Sequence, residues 1–230
     1  MGCLGYNSKL FSKMDDDKKQ KVIEEMEKQD ENLKLYISGT TYDDYNWDQI
    51  IKNIPCEKDK KEKRKEIFKK FNNLSEIDYI SYKRLKHGFS EYYDLPDLIV
   101  KKEPNPIYLA LKAVNSKFYR DFDFNYDILE FKCFRLFLFY LKQYFSYLNM
   151  FKEQAKYEKR LITLDQFKNA IPTMKEFGIK IEENEAEKVF NEIDLNDEKK
   201  ISFDDFCIII QKSIDDVDED YKNNIEDLTN

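Results

Sequence analysis

Two apolar helical faces bracket the twelve residues DLNDEKKISFDD at 194–205, and this frame recurs along the chain. Upstream, Ala186, Val189, Phe190 and Ile193 recur at i, i+3, i+4 and i+7, one face of a helix. Downstream, Phe203, Phe206, Cys207 and Ile210 do the same. Helix, polar loop, helix is a unit that cannot bury its apolar face alone, so copies of it are expected to pack in pairs. An apolar residue at loop position eight, here Ile201, is where paired loops form a short β-ladder.

A second copy runs from Phe151 through AKYEKRLITLDQ (155–166) to Phe167, Ala170 and Ile171, with Ile162 at position eight. Another, the first in chain order, has Ile67, Phe68 and Phe71, then NNLSEIDYISYKR, with Ile80 at position eight and one extra residue in the loop. The faintest passes through Phe118, with Leu129 at position eight and Cys133 at position twelve. The expected fold is all-α: four helix–loop–helix units in two paired lobes, with short two-stranded β-ladders between loops. The expected divisions are an N-terminal anchor and tether (1–45), a first pair (46–135), a second pair (136–214) and an acidic disordered tail (215–230).

A twelve-residue calcium loop takes side-chain oxygens at positions 1, 3, 5, 9 and 12, a carbonyl at 7, and glycine at 6 for the sharp turn. In 194–205 these places hold Asp194, Asn196, Glu198, the Lys200 carbonyl, Ser202 and Asp205. Three carboxylates carry enough charge for a divalent ion. Two positions depart from the pattern. Lys199 stands at position six, where left-handed backbone costs a non-glycine residue about 1–2 kcal/mol, and its charge opposes the ion. Asp205 is one methylene shorter than glutamate and tends to bind through one oxygen, which weakens Ca2+ and favours Mg2+. Weak Ca2+ binding, with Mg2+ as competitor, is the expectation for this loop.

The other loops lack ligands. Ala155, Tyr157, Lys159 and Gln166 stand at positions 1, 3, 5 and 12 of one. Phe122, Phe124 and Tyr126 stand at 1, 3 and 5 of another, and the first loop closes on Lys83 or Arg84 according to register. All three are expected to be metal-free.

The chain opens MGCLGYNSKLF. Gly2 becomes N-terminal once Met1 is removed, as N-myristoylation requires, and Cys3 is a neighbouring palmitoylation site. One acyl chain binds membrane marginally and two anchor stably. The sixth residue is Tyr6 where the motif has Ser or Thr. The apolar run at 134–151 is broken by Arg135, Lys142, Gln143 and Asn149, which makes it a buried helix and not a membrane span. Cys133 and Cys207 lie in apolar helical runs and are expected to be buried thiols; the four cysteines show no zinc spacing.

The net charge of −7 argues against nucleic acid. A single histidine, His87, with no phosphate loop and no nucleophile–base pattern, argues against an enzyme and a small-molecule substrate. The stretch 57–70 is basic and could meet anionic lipid.

From residue 46 to 214 the chain resembles the calflagins, flagellar calcium-binding proteins of trypanosomatids built from EF-hands. The resemblance rests on Trp47-Asp-Gln-Ile50, Ile54-Pro55, EIFKKF (66–71), LEF and FRL within 129–136, FKNAIP (167–172) with Gly178, VFNEID (189–194) and ISFDDF (201–206). It implies four hands, an acylated N-terminal glycine with a nearby cysteine, and calcium-modulated association with flagellar membrane. In that family the third and fourth hands carry the ion; here the third has lost its ligands and the fourth is altered at Lys199 and Asp205. Two readings follow. One is a weak calcium sensor anchored at the cytoplasmic face of a membrane by its acyl chains. The other is a calcium-independent scaffold on the same anchor, with a protein partner in either case.

Overall fold

The computed structural model describes residues 15–31, 33, 46–72, 79–95, 105–118, 128–155, 161–176, 179, 181–194 and 197–207. Gly2, Cys3, Asn196 and the acidic tail lie outside them.

Several helices start where a short polar side chain takes up a free N–H group of the first turn. Helix α1 (Asp16–Asp30) is capped by Asp15, which accepts from the Lys18 N–H, with Asp16 and Asp17 favourably placed in the first turn. Asn46 caps α2 (Trp47–Asn53) in the same way. Helix α3 (Lys61–Asn72) follows a 3-10 turn at Lys58–Lys60. Ser81 ends strand β1 (Tyr79–Ser81) and caps α4 (Tyr82–Tyr93). Asn105 accepts from the Tyr108 N–H, and Pro106 occupies the first position of α5 (Pro106–Phe118), where its missing N–H costs nothing.

Strand β2 (Ile128–Glu130) leads into α6 (Phe131–Ala155), the longest described helix. Strand β3 (Leu161–Ile162), α7 (Leu164–Glu176), a 3-10 turn at Glu183–Glu185, α8 (Ala186–Ile193), strand β4 (Ile201–Ser202) and helical residues 203–207 complete the order.

The strands form two small antiparallel sheets. In one, Ile80 stands opposite Leu129; in the other, Ile162 stands opposite Ile201. All four isoleucine and leucine side chains are buried. These are the four residues assigned to position eight from sequence, and each strand lies between two helices. The first register also resolves the open question at the first loop: four residues beyond Ile80 is Arg84.

Helix α6 organises the core. It packs against α2, α3, α5 and α7, and it runs unbroken through the 135/136 junction that divides the two expected pairs. Phe134, Phe137, Tyr140, Leu141, Tyr144, Phe145 and Tyr147 are all fully buried, so the helix is apolar nearly all round. The expectation of a buried helix holds, and among the described residues no helix is long and apolar enough to cross a membrane. At its first half Phe68 meets Phe134 edge-on at 5.2 Å; at its last turns Phe151 meets Phe203 at 5.6 Å and Phe206 at 5.1 Å. One continuous apolar cluster therefore extends from Trp47 to Cys207. Cys133 and Cys207 are buried as expected, and Cys56 is buried with them.

Helix α1, within the segment read as a tether, lies against the first sheet. Ile23 and Met26 join Tyr79 and Ile128 in a small separate apolar cluster. Its last residue, Asp30, forms a buried ion pair with Arg84 at 2.5 Å, accepts from the Ser81 hydroxyl, and offers its carbonyl to Lys83.

Candidate metal centre

The 194–205 loop starts where α8 ends. Phe190 and Ile193 bury that helix against the core and leave Asp194 as its last hydrogen-bonded residue, N–H to the Phe190 carbonyl at 2.9 Å. Asp194 is only 8% exposed, and its carboxylate accepts the backbone N–H groups of Glu198 at 3.1 Å and Lys199 at 2.9 Å. A carboxylate wrapped by backbone donors in this way draws the chain into a tight turn and aims anionic oxygen inward. The turn uses left-handed backbone at Asp197 (φ 55°) and Lys199 (φ 60°). The position-six expectation is met: Lys199 adopts the conformation that glycine adopts without cost.

The Lys199 ammonium does not stand unpaired against the loop. It donates to the Asp197 carboxylate, and that bond pushes its proton affinity above the ordinary lysine range. At the far end, Ser202 and Asp205 cap the exiting helix reciprocally. Asp205 Oδ2 accepts the Ser202 N–H at 3.1 Å and its hydroxyl at 2.6 Å, and Ser202 Oγ accepts the Asp205 N–H at 3.1 Å. Glu198 and Lys200 are exposed. Among the described residues no three acidic, histidine or cysteine side chains gather into a cluster. Asp194, Glu198 and Asp205 thus stand on one loop without converging on a point.

The residues fit a hard divalent ion: the described donors are all oxygens, three of them carboxylates, and the turn is already formed around Asp194. An ion would have to draw Glu198 and Asp205 toward Asp194. The work of that closure would weaken binding, as the short Asp205 would.

Position twelve of the other loops holds residues that cannot ligate through an anionic oxygen. Cys133 is buried, and desolvation pushes its thiol to about 12. Arg84 Nη1 donates to the Asn72 carbonyl at 2.8 Å. Gln166 Nε2 donates to the Gln154 carbonyl at 2.6 Å. Sequence reading classed Arg84 and Gln166 as lost ligands; the bonds they make across the loop ends carried no sequence signal. The Asp30–Arg84 pair was equally invisible, because its partners are 54 residues apart.

A family model for the EF-hand domain of flagellar calcium-binding proteins matches residues 50–141, and one for an EF-hand domain pair matches 155–211. The chain is 30% identical over 179 residues to flagellar calcium-binding protein TB-24 of Trypanosoma brucei brucei, a match covering 73% of this chain and 77% of that one. The chain belongs to the flagellar calcium-binding protein family, the calflagins. It is 32% identical over 187 residues to TB-17 of the same organism, covering 73% of this chain and 72% of the relative. It is 30% identical over 165 residues to the flagellar calcium-binding protein of Trypanosoma cruzi, covering 70% and 76%. The calflagin resemblance read from sequence is therefore correct, and the ion the family implies is Ca2+. These relatives are named as calcium-binding proteins of the flagellum, not as enzymes.

Proposed function

We propose that this calflagin is a membrane-anchored, four-hand protein whose last hand alone binds Ca2+, weakly, through Asp194, Asn196, Glu198, the Lys200 carbonyl, Ser202 and Asp205. The observation that carries the reading is the Asp194 carboxylate, already wrapped by two backbone N–H groups, with Lys199 left-handed at position six. The four-hand reading is supported by four strands, each between two helices, that pair by their position-eight residues. The anchor is acyl chains on Gly2 and Cys3, and the location is the cytoplasmic face of a membrane. The protein works by contact with a protein partner and has no catalytic role, nucleic acid or small-molecule substrate.

A ligand shifts a conformation only by its difference in affinity for the two states. One weak site therefore moves the C-terminal half at most. Its test is calorimetric titration of the full chain with Ca2+, with and without millimolar Mg2+. The expected result is heat for one site that disappears in Asp194→Ala. A flat trace to millimolar Ca2+ overturns the sensor reading. Mass spectrometry of protein made in a myristoylating and palmitoylating host tests the anchor: unmodified Gly2 and Cys3 would end that part of the proposal.

The scaffold reading remains as a second, because the first and third loops are closed by protein groups. It becomes the better account if the trace is flat and the acyl groups are present.

A further inference from the structure

Three of the four described loop ends share one design, and these three differ at a single chemical point. At positions nine and twelve, Ser81 with Arg84, Thr163 with Gln166, and Ser202 with Asp205 each cap the exiting helix. In two of the three, the position-twelve side chain also reaches across the loop to the carbonyl twelve residues earlier, the last turn of the entering helix. Arg84 does this to Asn72 and Gln166 does it to Gln154. Aspartate has no N–H to donate, so Asp205 caps but cannot cross. In a working calcium loop the bridge between these same two places is the ion, held at position one and at position twelve.

We infer that Gln166 is a resident substitute for the ion in the third hand, the 155–166 loop and its flanking helices: its amide joins the entering and exiting helices permanently, and through the β3–β4 sheet it holds in place the ladder from which the fourth loop, 194–205, can close on Ca2+. The geometry divides the glutamine's two ends between two tasks. Oε1 accepts the Thr163 N–H at 2.8 Å and its hydroxyl at 3.3 Å, which caps α7. Nε2 donates to Gln154 at 2.6 Å, which ties α7 to the end of α6. Between cap and core lies Ile162, fully buried and paired with Ile201. Ile201 sits one residue before Ser202 and two after Lys199, in the middle of the fourth loop. A third hand that opened would carry β3 away from β4. The fourth loop would then have to rebuild that ladder before it could close on an ion. Apparent affinity falls by the fraction of molecules in the competent state, so a hand held closed by its own glutamine raises the affinity of its neighbour without touching the ion.

The assignment separates Gln166 from an ordinary helix cap, because Gln166→Glu keeps the cap and removes the bridge. Glutamate retains the oxygen that Thr163 needs but turns an anionic oxygen toward the Gln154 carbonyl. The affinity measurement rests on Ca2+ binding at 194–205; a second measurement, made without Ca2+, does not. In calcium-free full-length protein, amide hydrogen exchange at Ile162 and Ile201 is expected to quicken about tenfold in both Gln166→Glu and Gln166→Ala, the factor that goes with one lost buried hydrogen bond. In titrations, the same variants are expected to bind Ca2+ about tenfold more weakly than the unaltered chain, with Asp194 and Asp205 intact. If the unaltered chain gives no heat while exchange quickens in both variants, the calcium reading fails and the bridge stands. If exchange at Ile162 and Ile201 is unchanged in Gln166→Glu, the bridge is overturned whatever the titration gives. If exchange quickens but Ca2+ affinity stays the same, the coupling to the fourth loop is overturned.

Discussion

Asp205 is the residue on which the strength of the proposed metal site turns. Its carboxylate is held at the exiting helix by Ser202, and it lacks the extra methylene that would carry a second oxygen toward Asp194. Asp205→Glu is expected to raise Ca2+ affinity about tenfold, roughly 1.4 kcal/mol, and to reduce competition by Mg2+. Paired titrations with the two ions measure this; unchanged Ca2+ affinity would mean that loop closure, not reach, limits binding. Lys199 is the smaller fault. The left-handed cost of about 1–2 kcal/mol is already present in the folded loop, and its ammonium is engaged by Asp197. It lowers stability more than it lowers affinity.

At the scale of elements, the close approach of α3 and α4 depends on a missing side chain. A Cβ placed on Gly88 would lie 2.5 Å from the Phe71 ring, well inside contact distance. That ring is itself wedged edge-on against Phe89 at 4.8 Å. Gly88→Ala improves helix propensity by about 1 kcal/mol, while overpacking costs about 1–3 kcal/mol. A net loss of stability is therefore expected in urea unfolding, and a rise in midpoint would show that the ring moves freely.

Helix α1 is held by a different kind of contact. Asp30 and Arg84 are each less than a tenth exposed in their side chains, so removing one leaves a buried charge without its partner. Breaking such a pair costs about 3–5 kcal/mol. Among the described residues, the apolar cluster that assists it is Ile23, Met26, Tyr79 and Ile128, with Val22 packed alongside. Asp30→Ala is expected to detach α1 as a unit, read as faster tryptic cleavage at Lys18, Lys19, Lys21 and Lys28 while the core stays intact. Unchanged cleavage at these sites would mean that the apolar contacts suffice.

At the scale of the molecule, one core joins both halves through α6, and titratable groups are buried in it. Desolvation pushes Cys133 from its ordinary value near 9 to about 12, and raises Cys207, Tyr144 and Tyr147 as well. The sign follows from linkage. Above pH 9 the unfolded chain releases the Cys133 proton while the folded chain keeps it. The unfolded state is then favoured increasingly as pH rises toward 12. Stability is expected to be level from pH 7 to about 8.5 and to fall beyond it, with one transition seen by both far- and near-ultraviolet dichroism. A flat profile to pH 11 would show that these groups reach water in the folded state.

The helical character and the four buried residues that pair in the two small sheets were legible in sequence because they are local. Ile80, Leu129, Ile162 and Ile201 each sit within a few residues of the apolar helical faces that mark them, and burial forces that pattern on any chain that folds this way. The candidate ligands of 194–205 and the departures at Lys199 and Asp205 could be named for the same reason, since a calcium loop is a contiguous stretch. What joins distant segments was not. Arg84 and Gln166 read as lost ligands until the fold showed that each faces a carbonyl across its loop. Asp30 read as one charge in a mixed tether until α1 lay on the first sheet. Sequence by itself determined which residues must be buried and which loop could hold an ion, because hydrophobic periodicity and ligand spacing are properties of short stretches. Only the tertiary structure decided which carbonyls Arg84 and Gln166 reach and where the N-terminal helix rests. A hydrogen bond or an ion pair needs two partners at contact distance, and the pairing of distant partners is a property of the fold.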